Sequence, residues 1–453
     1  MKDFKNIFEG KEITQMSLGL LGRGVGDAQF LATHGARLHI TDLKTEEELQ
    51  ASLAKLKEYK NITYTLGEHA LEDFSNKDLI LKGASVPFDS QYLKEARKNS
   101  VPVDMSASLF FRISQIPFVG VTGTRGKSTV THLIEEILTQ DGRDTVLGGN
   151  VKGVSNLSLL ENVTGDSLGV FELDSWQCQG LGEEKSLHSA SVKQGPISPN
   201  IAVFTTFFPD HMNYYKDDME TYFNDKANIF LHQNSSDVFV VGSQVVPFIQ
   251  KYKYEIKANV VIADEKTLPS DWNLSLEGVH NRYNAGLVVA VTRELGVSDD
   301  IIKAVLENTK PIVGRLEHIG KYKGVHVYND TNATTPDATV CALHALSSKG
   351  NITLIMGGAD KGLDMEELIE MVPEKVEGCI LLEGTGTERL KEKLASNVYT
   401  EVKSMDEAVQ CAFESAVQGD IILLSPAFAS FGMFVNEFDR GEQFVIAVEK
   451  YGT

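Results

Sequence analysis

The run GVTGTRGKSTVTHL, Gly120 to Leu133, decides the fold around it. It carries Gly-Lys-Ser, the closing signature of a phosphate-binding loop, in which four residues separate the first glycine from that ending. Counting back from Gly126 puts the first glycine at position 121, which is Val121. What stands here is a tighter loop: Thr122, Gly123, Thr124, Arg125, Gly126, Lys127, Ser128, Thr129. The physics still favours phosphate. PFVGV (Pro117–Val121) predicts a short buried strand, and Val130, Leu133, Ile134, Ile137 and Leu138 repeat at helical spacing, with Gly142 as the stop. Gly123 and Gly126 let backbone N–H groups approach an anion. The helix N-terminus adds about half a positive charge, and Lys127 a full one. Ser128 or Thr129 offers a hydroxyl to a phosphate-bound magnesium ion. The bland alternative is a strand–turn–helix corner with a chance Gly-Lys-Ser.

The chain around this loop has 453 residues, too many for one ordinary core, so two or three domains are expected. Its 42% hydrophobic and 23% charged residues suit a soluble globular protein. A net charge of −20 argues against non-specific binding to nucleic acid or to an anionic membrane. It leaves an anionic small substrate open, because screening confines charge effects to about 8 Å at physiological salt. Cys178, Cys341, Cys379 and Cys411 lack metal-ligand spacing and fit a reduced cytoplasmic compartment. The start, MKDFKNIFEGKEITQ, has no apolar signal core, and no apolar run approaches a membrane span.

An α/β protein of three domains is expected. Residues 1–106 open with MSLGLLGRGVGDAQFLATHGARLHITD, read as strand, glycine-rich turn, helix and strand, with Asp42 closing the second strand. This is a Rossmann-like start, open to a dinucleotide or to a nucleotide diphosphate. Residues 107–311 hold the phosphate loop, with strand candidates SLGVFEL (167–173), IAVFTTF (201–207) and DVFVVG (237–242) and helix candidates at 219–233 and 280–295. Residues 312–453 alternate again, with strand candidates at 325–330, 352–358, 379–384 and 420–426, a second Rossmann-like domain.

Polar residues gather at the carboxyl ends of these strands, where open α/β sheets bind ligands. Glu172 ends one, and Asp210 and His211 follow another. A carboxylate, an imidazole and a loop hydroxyl suit a magnesium or phosphate site. Each is ordinary alone: Glu172 as a solvated strand end, His211 as a cap, Lys226 as a helix-surface lysine, Asn150 as a turn residue, Asn281 and Asn284 as caps.

Their order is more specific than any one of them. TGTRGKST is followed by GGN, FELDSWQ, DHMNYY, DKANIF and GVHNRYNA, then by GRLEHIG, YNDTNATTPDA, MGGADKG and LLSPAFASFGMFVNEFDRGEQF. This series resembles the muramyl ligase family of peptidoglycan synthesis over nearly the whole chain, less so in the first domain. The resemblance implies a UDP-sugar domain, an ATP domain with a shortened phosphate loop, and a mobile amino-acid domain. It implies an ATP-dependent amide ligase using Mg2+, with UDP-N-acetylmuramoyl-L-alanine and D-glutamate as small-molecule substrates, acting as a cytoplasmic monomer without nucleic acid or membrane insertion. Gly123, Thr124, Arg125, Gly126, Lys127, Ser128, Thr129, Asn150, Asn281, Arg315 and Asp330 then match ATP-contacting positions. Ser128, Glu172, His211 and Lys226 match the metal sites, with Lys226 carbamylated. Lys127, Glu172, His211 and Lys226 carry the catalysis. Thr334, Lys361 and Ser430 surround the incoming amino acid.

Three departures bear on specificity. The family's usual Ser-Lys-Ala-Thr-Asn after the ribose acid is here Thr331-Asn332-Ala333-Thr334-Thr335, so Asn332 stands where a lysine is usual; KGASVP (82–87) replaces Ser-Pro-Gly; and Glu437 stands where an aromatic is common. The rivals are a sister ligase adding another amino acid, an inert ATP-binding paralogue, and a small-molecule kinase. A folate-type relative would begin directly with the ATP domain, and the amidotransferase-associated relative carries a four-cysteine ribbon whose spacing is missing here.

Overall fold

Short strands, many of them buried apolar runs, build three sheets. In a computed structural model, residues 4–20, 22–84, 86–87, 89–151, 153–395 and 398–453 are described. The first sheet contains β1 (Glu12–Met16), β2 (Arg37–Asp42), β3 (Ile62–Leu66), β4 (Leu79–Lys82) and β5 (Val103–Asp104), in the order β3-β2-β1-β4-β5, all parallel. The second contains β6 (Phe118–Thr122), β7 (Thr145–Gly149), β8 (Leu168–Glu172), β9 (Ile201–Phe204), β10 (Val238–Gly242) and β11 (Asn259–Ala263). Its order is β11-β10-β9-β6-β8-β7, again all parallel. The third contains β12 (Glu317–Tyr322), β13 (Val325–Asn329), β14 (Ile352–Met356), β15 (Val376–Leu382), β16 (Tyr399–Val402) and β17 (Ile421–Leu424), ordered β12-β13-β17-β14-β15-β16. Only β12 there runs antiparallel. Parallel strands are covered by helices on both faces, which is why β6, β9, β14 and β17 are apolar and buried along their whole length.

The chain divides into two compact units. The first spans residues 1–208, 218–269 and 284–305 and holds the first two sheets; the second spans residues 209–217, 270–283 and 306–453 and holds the third. Within the first unit, buried polar groups join the two sheets. Asp104, at the end of β5, pairs with Arg112 Nε at 3.1 Å, and neither side chain is exposed. Arg112 also donates to the carbonyls of Gly180, Glu183, Lys193 and Gly195. Asp27 accepts from Ser155 Oγ at 2.6 Å and Ser106 Oγ at 2.9 Å, and burial pushes its carboxyl above the usual range.

The first strand differs from its expected place. The strand is Glu12–Met16, and the helix Arg23–Thr33 already contains the second and third glycines of the Gly22–Gly26 run. Positive φ at Ser17, Gly19 and Gly22 turns the chain between them. Asp42 accepts from Leu18 N at 2.9 Å and Gly19 N at 3.1 Å, so this strand-end carboxylate holds the turn.

Candidate functional site

The phosphate loop follows β6, whose neighbours are β8 and β9, and leads into the helix Lys127–Gln140. Gly123 has φ 144° and Gly126 φ 84°. A Cβ at Gly126 would strike Asn284 Oδ1, and one at Gly123 would strike Thr205 Oγ1, so packing as well as backbone conformation requires glycine at both. The segment after β9 braces the loop. Thr124 N donates to Thr206 O at 2.7 Å, Arg125 N to Thr206 Oγ1 at 2.9 Å, and Phe208 N to Thr124 Oγ1 at 3.0 Å. Thr205 and Thr206 are supporting residues that motif reading missed; the strand candidate 201–207 included them, whereas the strand ends at Phe204 and leaves both in the loop that follows.

Two lysines meet at this loop. Lys127 Nζ donates to Gly123 O and Thr124 O, both at 3.1 Å. Lys226 Nζ, from the helix Met219–Leu231, donates to the same Gly123 O at 2.9 Å. Lys226 is 1% exposed and lies 4.9 Å from the centre of the Tyr222 ring. Burial holds the Lys127 amine below its ordinary pKa, Lys226 pushes it the same way, and Glu172 opposes both. Ser128 and Thr129 sit half-buried in the first turn of the helix.

Glu172 ends β8 and is 6% exposed. Asn150 grips it twice: its backbone N donates to Glu172 O at 2.7 Å, and its Nδ2 to Glu172 Oε1 at 3.3 Å. Arg23 Nη1 donates to Asn150 Oδ1 at 2.7 Å. Asn150 therefore orients Glu172, and Arg23 orients Asn150. Arg23, 127 residues away in sequence, was not read as a site residue.

The remaining candidates lie in the second unit. His211 has φ 56° and precedes a short helix, Met212–Tyr215; its backbone N donates to Asp210 Oδ1 at 2.9 Å. Lys361 Nζ donates to Thr334 Oγ1 at 3.2 Å and lies 3.8 Å from Asp210 Oδ1. Asp210 thus belongs with the amino-acid candidates, although the sequence marked it only as a neighbour of His211. Ser430 is buried in the loop after β17, which bridges the loop after β14 through Ala359 and Ala429. Asp330 follows β13. It accepts from Leu316 N and Ser425 Oγ, each at 2.9 Å, and burial raises its carboxyl to about 7 against the pull of Arg315 and Arg440. Arg315 is exposed, and Asn281 donates Nδ2 to Glu277 O at 2.7 Å near the start of the helix Val279–Glu294.

Among the described residues no three His, Cys, Asp or Glu side chains form a metal cage. The donor set at the loop, one buried carboxylate and the helix-start hydroxyls, suits magnesium, which retains water and takes only one or two carboxylates beside phosphate oxygens. The turn glycines and Lys127 suit a polyphosphate.

Known proteins sharpen this picture. The family described as Mur ligase middle domain matches residues 121–273, and the one described as Mur ligase, glutamate ligase domain matches residues 314–428. Proteins named UDP-N-acetylmuramoylalanine–D-glutamate ligase are similar along almost their whole length. That of Borreliella afzelii (strain PKo) is 35% identical, covering 96% of this chain and 97% of its own. That of Roseiflexus sp. (strain RS-1) is 33% identical over 98% and 99%. Among solved structures, the UDP-N-acetylmuramate-alanine ligase of Thermotoga maritima superimposes with a TM-score of 0.61 at 17% identity, covering 97% of this chain and 99% of its own. The MurF ligase of Thermotoga maritima in complex with ADP gives 0.58 at 16% identity, covering 100% and 99%.

Proposed function

The chain belongs to the Mur ligase family, and on that premise we propose that it joins D-glutamate to UDP-N-acetylmuramoyl-L-alanine, converting ATP to ADP and phosphate. The observation that carries the reading is the near-full-length likeness to ligases of that name, at 35% identity over 96% of the chain. The convergence of Lys127 and Lys226 on one loop carbonyl, with Glu172 acting on Lys127, supports it.

The roles follow from chemistry. A carboxylate is a poor acyl donor because its leaving group would be oxide; ATP supplies the phosphoryl group that turns it into an acyl phosphate. The phosphoryl group in transfer carries dense negative charge, and Lys127 with the loop N–H groups neutralises it. Glu172, Ser128, His211 and a carbamylated Lys226 would hold Mg2+, which spreads that charge further. Arg315, Asn281 and Asp330 are assigned to the nucleotide, and Thr334, Lys361 and Ser430 to the amino acid, whose amine attacks the activated carbonyl. Asn150 is assigned through Glu172 as well as to the nucleotide. In the same reading residues 1–106 hold the UDP-sugar, 107–311 ATP, and 312–453 the amino acid, in a cytoplasmic monomer. Among the described residues no helix is long and apolar enough to cross a membrane.

A sister ligase with another amino acid is the second reading, favoured by Asn332 in place of the usual lysine. One assay separates them: phosphate release from ATP with UDP-N-acetylmuramoyl-L-alanine and a panel of amino acids, followed by product mass. Release dependent on D-glutamate, with one glutamate added, is expected. Preference for another amino acid selects the sister ligase, a stable phosphorylated product a kinase, and no release an inert paralogue.

A further inference from the structure

Arg440 is fully buried on the helix Glu437–Tyr451, and its guanidinium donates to backbone and hydroxyl oxygens of two loops. Nη2 donates to Thr331 O at 2.7 Å, Nε to Thr331 Oγ1 at 3.2 Å, and Nη1 to Phe428 O at 3.1 Å. The Thr331 hydroxyl donates in turn to Glu437 O at 2.7 Å, closing the knot on the helix that carries the arginine. Thr331 stands three residues before Thr334, and Phe428 two before Ser430. Lys361 donates to Thr334 Oγ1. All of these groups lie in the second unit.

We propose that Arg440 is a positioning residue for the incoming amino acid: it sets the spacing of the Thr334 and Ser430 loops without touching the substrate. The proposal rests on the assignment of Thr334, Lys361 and Ser430 to the amino-acid site. A buried guanidinium is expensive, and burial pulls its pKa down to about 10 even with Glu437 and Asp330 opposing. What the cost secures is geometry. A planar fork with five donors reaches two carbonyls and a hydroxyl on separate loops, which an ammonium on a flexible stem cannot do at once. The loops are also joined at their base, where Ala427 N donates to Ala333 O at 2.9 Å, so loss of the fork shifts their outer parts and leaves the sheet end intact.

The test uses the full-length enzyme, with Arg440→Lys, Arg440→Met and the milder Thr331→Val, and measures phosphate release while each of the three substrates is varied. Hydrogen bonds to a charged group are worth about 1.5–3 kcal/mol, so a rise of about tenfold or more in the D-glutamate KM is expected for Arg440→Met. Arg440→Lys should be intermediate, Thr331→Val smaller, and the KM values for ATP and the UDP-sugar acid should stay within about twofold. If Arg440→Met does not fold, the other two variants carry the comparison. Unchanged D-glutamate KM, equal shifts for all three substrates, or a fall in kcat alone would each overturn the role. An unaltered enzyme that releases no phosphate in response to D-glutamate overturns the functional reading, and the positioning role with it. An active unaltered enzyme with unmoved KM values in the variants overturns the positioning role alone.

Discussion

Two ammonium groups on one carbonyl oxygen are a poised arrangement. Lys127 and Lys226 both donate to Gly123 O, at 3.1 and 2.9 Å, and their mutual repulsion helps hold Lys127 below its ordinary pKa. A polyphosphate relieves that repulsion while Lys226 is an amine, and carbamylation of Lys226 removes it by replacing the ammonium with an anion. Lys127→Ala should keep the fold, checked by circular dichroism, and lower turnover at saturating ATP by about 10²–10³, the loss typical for one preorganised donor in a dry site. Turnover near that of the unaltered enzyme would remove the loop from the mechanism. Lys226→Arg keeps charge and approximate length but cannot take up carbon dioxide as a lysine amine does. Near-complete loss of activity is expected, with intact-mass analysis in bicarbonate showing one added carbon dioxide on the unaltered protein only. Full activity in the variant would rule out carbamylation. Lys127 and Glu172 were legible because each sits at a motif or strand end. Lys226 alone reads as a surface lysine, and its 1% exposure is visible only once the helix is packed. Asn150 read as a nucleotide contact; its contacts with Glu172 and Arg23 were not readable, because Arg23 is brought in by the distant helix Arg23–Thr33.

Elements position these groups, and their conformations can be tested directly. Gly126 has φ 84°, and a Cβ there would strike Asn284 Oδ1. The left-handed conformation alone costs a non-glycine residue about 1–2 kcal/mol. Gly126→Ala should therefore lower Tm and raise the ATP KM together; an unchanged ATP KM would show that the turn does not shape the nucleotide site. Lys82 ends β4 with its Nζ donating to Gly83 O at 3.1 Å and Ala84 O at 3.3 Å, and burial lowers its pKa from 10.5 to about 7. Between about pH 7 and 10.5 the unfolded chain binds the extra proton, so stability from this group rises with pH across that window and is lowest below it. Lys82→Met should raise Tm relative to the unaltered protein most at pH 6 and least near pH 10; a pH-independent difference would contradict the depressed amine. Strands buried on both faces, such as β6 and β17, were readable as apolar runs. β12 was not, since EHIGKY is a half-exposed antiparallel edge with little apolar content, and β7 hides behind two glycines. The first strand lay upstream of its expected place because the apolar run 18–21 precedes glycines and draws the reading toward them, while Thr14 and Gln15 of the real strand are polar and buried. Of the departure at 82–87, Ser85 lies outside the described residues.

At the scale of the whole molecule, a chain of net charge −20 must still receive anionic substrates, so local cations decide affinity. In the second unit the amino-acid candidates center on Lys361, which lies 3.2 Å from Thr334 Oγ1 and 3.8 Å from Asp210 Oδ1. The order of motifs made the family legible across the chain, whereas its amino-acid specificity depends on few side chains and was not. In the proposed reading, Lys361 would pair with one carboxylate of glutamate while Thr334 and Ser430 would hydrogen-bond the other. A charge-assisted contact outweighs a neutral one, so Lys361→Ala should raise the D-glutamate KM more than the ATP KM. Asn332 stands where the family resemblance leads one to expect a lysine. Here its Nδ2 donates to Val313 O at 3.2 Å and its backbone N to Gly314 O at 3.0 Å, so the side chain secures the turn before Arg315. Asn332→Lys therefore exchanges a turn contact for a charge. If the turn contact is dispensable and the charge reaches the site, the variant should show a lower KM for D-glutamate and unchanged turnover with a neutral amino acid. D-glutamate, L-glutamate and a neutral amino acid should be compared on both forms. Preference of the unaltered enzyme for the neutral substrate would overturn the glutamate assignment while leaving the ligase chemistry proposed for Lys127, Glu172 and Lys226 in place.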